Sequence, residues 1–314
     1  MIKVFNSVLP IIILLVIGYL CRQKFIKDKS FWSNINKLIY YIMFPTLMVY
    51  SISKSNFSEI DLSFIPILVL IILGIMGVIW LLKPFFKNER FWVVFIQGAV
   101  RYNSYVFIVV TLLYVNTEVM PIIALITAFL VMTTNIVSVF ILSKYSENKL
   151  SLLQTIKSTI TNPLVFSCFL GLFVNYIATI FPGILKIVWL NSTLNYIGKA
   201  SLTLSLISVG ASINLQVFKE NFYGILGCSF IKLLLLPLIV VSILSYFEFS
   251  PVLILVCMIY AGSPCSSNAT AMTETMGGDH ESMSLIISTQ TVLSVFSLTL
   301  LLYCYSIYFG TIQL

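Results

Sequence analysis

The chain has 314 residues, 59% of them hydrophobic and 9% charged, against roughly 45–50% and about 25% in soluble domains. So few charges cannot cover a soluble fold of this size, and a mean hydropathy of +1.04 places the chain in a bilayer. The net charge of +7 lies in short Lys and Arg clusters between apolar runs, a topogenic pattern and not a nucleic-acid surface.

A helix needs about 20 apolar residues to cross roughly 30 Å of hydrocarbon. In chain order, segments 4–21, 35–53, 62–82, 91–114 and 119–143 qualify. Segments 161–181, 194–213, 222–246, 250–273 and 283–307 follow. The expected fold is an all-α polytopic membrane protein with ten transmembrane helices. No small-residue cleavage site follows Tyr19, so the first segment reads as a retained span and not a signal peptide. The connection near 144–160, with Lys144, Lys149 and Lys157, is amphipathic and reads as an interfacial linker. Six cysteines (Cys21, Cys168, Cys228, Cys257, Cys265, Cys304) lie in or beside apolar segments without any CxxC pair. Neither a metal site nor a disulfide framework is expected.

Lys and Arg also orient the chain. One set of alternate loops holds eleven of them, around 22–29, 83–90, 144–157 and 219; the other holds only Lys3, Lys54 and Lys186. This asymmetry predicts that both termini lie outside, with the basic loops in the cytoplasm. The chain also repeats itself faintly. Pro10 and Gly18 in span 1 are eight residues apart, as are Pro163 and Gly171 in span 6, at an offset of 153. Span 4 carries GAVRYNS and span 9 carries GSPCSSN, with Gly98 and Gly262 164 residues apart. These matches divide the chain into repeats 1–150 and 151–314. Five spans per half is an odd number, so the second repeat must be inverted, a common architecture of secondary transporters.

Polar residues in hydrocarbon are costly and usually functional. The richest clusters occupy corresponding spans. Span 4 contains Gly98, Arg101, Asn103, Ser104 and Tyr105; span 9 contains Gly262, Ser263, Pro264, Ser266, Ser267 and Asn268. Pro264 removes an N–H and cannot continue a helix undisturbed. The expectation is two broken helices meeting near the midplane, whose half-helix N-termini favour an anion. Asn and Ser cap such ends or bind ligand oxygens, and Arg101 offers a fork that matches a carboxylate. Each cluster has a structural alternative as a kink or helix glue, and Arg101 has one in snorkelling. Lys199 and Lys232 are as compatible with snorkelling or pairing as with binding. Asn135 in span 5 is a further site candidate, though helix packing suits it better, and Pro45-Thr46 reads as a kink.

No Asp or Glu lies well inside any span, and the one histidine, His280, belongs to a loop after span 9. A buried carboxylate relay, a Ser–His pair or an aspartyl dyad cannot be assembled. An enzyme is not expected, nor is a cofactor.

At RYNSYVF (101–107) and AGSPCSSNATAMTETMGGD (261–279) the sequence resembles the auxin efflux carrier family, which includes bacterial malate or malonate permease-like proteins and plant PIN exporters. The NP…G pattern opening span 6 and FPG at 181–183 support the resemblance. It implies helices 4 and 9 crossing at mid-membrane. It also implies a scaffold of spans 1, 2, 6 and 7, often dimeric, and an elevator-like transport domain of spans 3–5 and 8–10. Asn103 looks like the family's crossover asparagine, which contacts the substrate carboxylate in plant members, and Pro264 like its second-crossover proline. Plant members have a proline where this chain has Tyr102, and Arg101 is not a general family feature. A generic organic anion is therefore the expected substrate. Two other readings remain: a sodium-coupled symporter resembling the bile acid symporters, and a receptor that binds a ligand without moving it.

Overall fold

The computed structural model describes residues 2–57, 60–86, 88–115, 117–145, 163–213, 222–266, 268–275 and 278–309. Regular structure there is helical, with no strand among the described residues. The first half contains α1 (Ile2–Leu20), α2 (Lys29–Leu38), α3 (Phe44–Ile52), α4 (Phe64–Leu81), α5 (Glu89–Val100), α6 (Ser104–Tyr114) and α7 (Met120–Tyr145). The second contains α8 (Pro163–Ile180), α9 (Val188–Ser212), α10 (Phe222–Phe230), α11 (Leu236–Tyr246), α12 (Pro251–Gly262), α13 (Asn268–Thr275) and α14 (His280–Tyr308). Among the described residues, seven helical stretches are long and apolar enough to cross a membrane: 30–52, 64–81, 89–114, 117–142, 163–180, 222–246 and 280–308. Most of the amphipathic connection near 144–160 lies outside the described residues.

Two prolines shape their helices locally. A proline lacks its N–H and crowds the carbonyl four residues back. Before Pro45 the chain widens into a π turn, Ile39–Met43, and before Pro237 into another, Ile231–Leu235. Both let the helix run on instead of breaking. Helix starts differ from the hydropathy boundaries where polar residues dilute the apolar signal. The second span begins at Lys29 and not at 35, because the Asp28 carboxylate accepts from Ser30 N at 2.9 Å and Ser30 Oγ at 2.6 Å. The last begins at His280, capped by Asp279.

The packing falls into two groups. In the first, α1 lies on α9, α3 lies on α8, and α3 also meets α9. In the second, α4, α5 and α7 pack together; α10, α11, α12 and α14 form a matching cluster; α5 touches α10 and α14. The first group is reciprocal between the halves. At one end, Arg22 Nη1 donates to Ala211 O at 2.9 Å. At another, Asn175 Nδ2 donates to the carbonyls of Ile52, Ser53 and Ser55 at 2.8–3.3 Å. Arg22 and Asn175 are 153 residues apart, the spacing that also separates Gly18 from Gly171. A Cβ on Gly18 would strike the Ile207 carbonyl, and one on Gly171 would come within 2.8 Å of Ile52 Cβ. Both glycines let two helix backbones approach closely.

Candidate functional site: the junction of two helix breaks

The stretch 89–114 is almost wholly buried, yet it is not one helix. The chain becomes extended at Arg101 (φ −70°, ψ 151°), and α6 restarts after Asn103 (φ −86°, ψ 104°). Asn103 builds that restart. Its Oδ1 accepts from Tyr105 N at 3.0 Å and Val106 N at 3.3 Å, satisfying two donors that a helix start leaves unpaired. With Oδ1 so committed, Nδ2 is the arm left to a ligand; it makes no hydrogen bond among the described residues.

In the second break, α12 stops at Gly262 and Ser263 turns extended (φ −69°, ψ 140°). Pro264 has no N–H to continue the ladder. Cys265 N, which in an unbroken helix would donate to Ala261 O, donates instead to Gln290 Oε1 at 2.8 Å. The Ala261 carbonyl then accepts from Lys232 Nζ at 2.8 Å.

The two breaks touch. Asn103 N donates to Pro264 O at 2.7 Å. Gln290, from α14, bridges them a second time, because its Nε2 donates to Gly98 O at 3.0 Å while its Oε1 holds Cys265 N. Tyr102 and Tyr260 pack edge to face with ring centroids 4.6 Å apart. Tyr105 stacks on Phe44 at 4.6 Å and 4°, joining this junction to α3.

The electrostatics are unbalanced. Arg101 is buried, its Nη1 lies 3.2 Å from the Met272 thioether, and its Nε has no hydrogen-bond partner. A thioether is a weak acceptor, and no carboxylate pairs with Arg101 among the described residues. One turn earlier, Gln97 is fully buried, with neither amide atom partnered. An unpaired buried charge is strongly disfavoured unless something anionic joins it.

The candidates from the sequence fare unequally. Arg101, Asn103, Tyr105 and Pro264 all stand at the junction, and Ser104 is half-buried at the start of α6. The Ser263 hydroxyl is committed to Ile259 O at 2.7 Å, so it offers little to a ligand. Ser266 is half-buried and its carbonyl caps α13 through Ala269 N. Asn268 opens α13, and its side chain lies outside the described residues. Asn135 is half-buried on α7 and makes no hydrogen bond to the junction among the described residues. Thr46 bonds back to Ile42 O, as a kink residue does. Lys199 lines a separate polar cavity of about 610 Å³ with Tyr50, Ser51, Lys54, Glu118 and Asn195.

Four residues gain a place at the junction only through the fold. Gln97 and Gln290 were visible as amides inside apolar spans, the signal that singles out polar residues at depth. The sequence marks Lys232 as a span lysine but not its position at the end of α12. Tyr40, from the π turn, lies near Arg101, and tyrosine is too common in membrane helices to have marked it.

Comparison with known proteins bears on the chain as a whole. A protein of Methanothermobacter thermautotrophicus described as an uncharacterized transporter is 22% identical over 302 residues, covering 94% of this chain and 96% of its own length. Residues 3–302 match the family described as membrane transport protein. The chain belongs to that family, the one its resemblance to the auxin efflux carriers anticipates, and is a multi-pass membrane transporter.

Proposed function

We propose that the chain is a secondary active transporter of a small organic anion, a mono- or dicarboxylate, working by elevator-type alternating access in the cytoplasmic membrane. One observation carries this reading: Arg101 is buried where the two breaks meet and has no carboxylate partner among the described residues. A substrate carboxylate supplies the missing charge. The guanidinium fork donates one N–H to each of its two oxygens, and Asn103 Nδ2 orients it. Tyr105, Ser104, Pro264 and Ser266 line the surroundings.

The architecture that goes with this mechanism is ten spans in two inverted repeats, 1–150 and 151–314, with α5–α6 and α12–α13 crossing at mid-membrane. The exchange of partners supports it: under a two-fold that swaps the halves, α1 on α9 becomes α8 on α3, and both contacts are present. The first packing group (spans 1, 2, 6 and 7) is then the scaffold, through which a homodimer would form. The second (spans 3–5 and 8–10) is the moving domain. Both termini lie outside. Lipid and the substrate anion are the expected partners, with no nucleic acid.

Titration of purified wild type, Arg101→Lys and Arg101→Ala with mono- and dicarboxylates tests the site, alongside uptake into proteoliposomes. Affinity should fall from wild type through lysine to alanine, and uptake should follow. Equal affinity of all three would remove Arg101 from the site. Binding without uptake would favour a receptor.

A further inference from the structure

Lys232 lies in the π turn before Pro237 and is completely buried. Its ammonium has three donors, and the one hydrogen bond it makes among the described residues goes to Ala261 O at 2.8 Å. Around it stand the Tyr260 ring, 5.6 Å away, and the thiols of Cys228 and Cys265. No carboxylate joins them among the described residues, so Lys232 is not half of an ion pair.

What it meets is the carbonyl end of a half-helix. The last carbonyls of α12 lack helical partners, and the macrodipole makes that end negative. The break increases the deficit, because Cys265 N turns to Gln290 and leaves Ala261 O unclaimed. In transporters with broken helices, unwound carbonyls and half-helix C-termini coordinate the coupling cation. Here the same kind of position is filled by a tethered ammonium. We infer that Lys232 is a resident cation, a charge built into the chain at the end of α12 where a diffusible monovalent cation would otherwise bind.

The inference rests on the transport reading for its meaning, but its test reads cation binding alone. Thermal unfolding of the purified full-length protein is followed while choline chloride is replaced by NaCl or KCl at constant ionic strength. Wild type should melt at one temperature in all three salts. Lys232→Ser removes the ammonium and leaves a small polar space. Its melting temperature should climb with the logarithm of Na⁺ or K⁺ concentration, as mass action requires of a bound ligand. Lys232→Met, which fills the space with an apolar chain, should show no such climb. A cation-dependent rise in wild type overturns the inference, and so does a serine variant that responds no more than wild type. Where the serine variant does not fold, the wild-type titration still decides. Failure of the Arg101 variants to lose anion affinity would sink the transport site and leave this result untouched.

Discussion

The two breaks meet but are built by opposite means. The first is self-sufficient: it carries its own charge in Arg101 and its own cap in Asn103, two residues apart. The second carries no charge of its own among the described residues. Its charge comes from Lys232 on a neighbouring helix, and its displaced N–H is held by Gln290 on another. Both cations are buried, but they face different chemistry. Arg101 has unsatisfied donors beside a helix start, which suits an anion; Lys232 sits on carbonyl oxygen at a helix end, which suits a cation. The first break thus owes its character to its own residues, and the second to the helices packed around it.

Five substitutions break or sharpen this contrast. Gln290→Leu should have the largest effect, because it leaves Gly98 O and Cys265 N unpaired in the interior at roughly 1–3 kcal/mol each. Thermal unfolding in detergent should show a marked loss; a wild-type melting temperature would mean that the breaks hold together without the bridge. Arg101→Ala should cost roughly 2–5 kcal/mol of anion binding, as truncating one side of a hydrogen-bonded charge pair does. Calorimetric titration reads this as about thirtyfold weaker affinity or more, since about 1.4 kcal/mol is tenfold.

Gly18→Ala and Gly171→Ala test whether the halves are equivalent away from the breaks. Overpacking costs typically about 1–3 kcal/mol. Gly18 should lie at the upper end, because its new methyl would meet a backbone carbonyl, whereas Gly171 meets the Ile52 side chain. Comparative melting curves of the two variants give the order, and a reversed order would contradict the close α1–α9 approach. The smallest effect is expected for Asn103→Ser. Serine keeps a capping oxygen but lacks the amide's donor arm, so stability should hold while anion affinity drops by about 1.5 kcal/mol. If affinity is unchanged and only stability falls, Asn103 is a cap and nothing more.

Much of this was legible along the chain. Apolar segments marked the helices, and Pro264 marked its break because an imino acid cannot donate. Asn103 was recognisable as a cap or ligand residue because a short amide side chain suits both. Boundaries at Lys29 and Val188 were missed, since polar residues such as Ser30, Asn34 and Asn191 lower the local hydropathy without preventing helix formation. The roles of Gln290 and Lys232 were not legible. Gln290 bridges residues 192 and 25 positions away, and Lys232 bonds a carbonyl 29 positions on.

The sequence by itself determined what kind of molecule this is: composition demanded a bilayer, periodic apolar runs demanded helices, and proline with asparagine demanded interruptions at two places. Those are local properties of the chain in its solvent. Only the tertiary structure decided that the interruptions meet through Asn103 N and Pro264 O, that Arg101 goes without a carboxylate among the described residues, and that Lys232 ends on Ala261. Hydrogen bonds and charge balance inside a membrane depend on which distant helix supplies the partner, and that is set by packing and not by spacing along the chain.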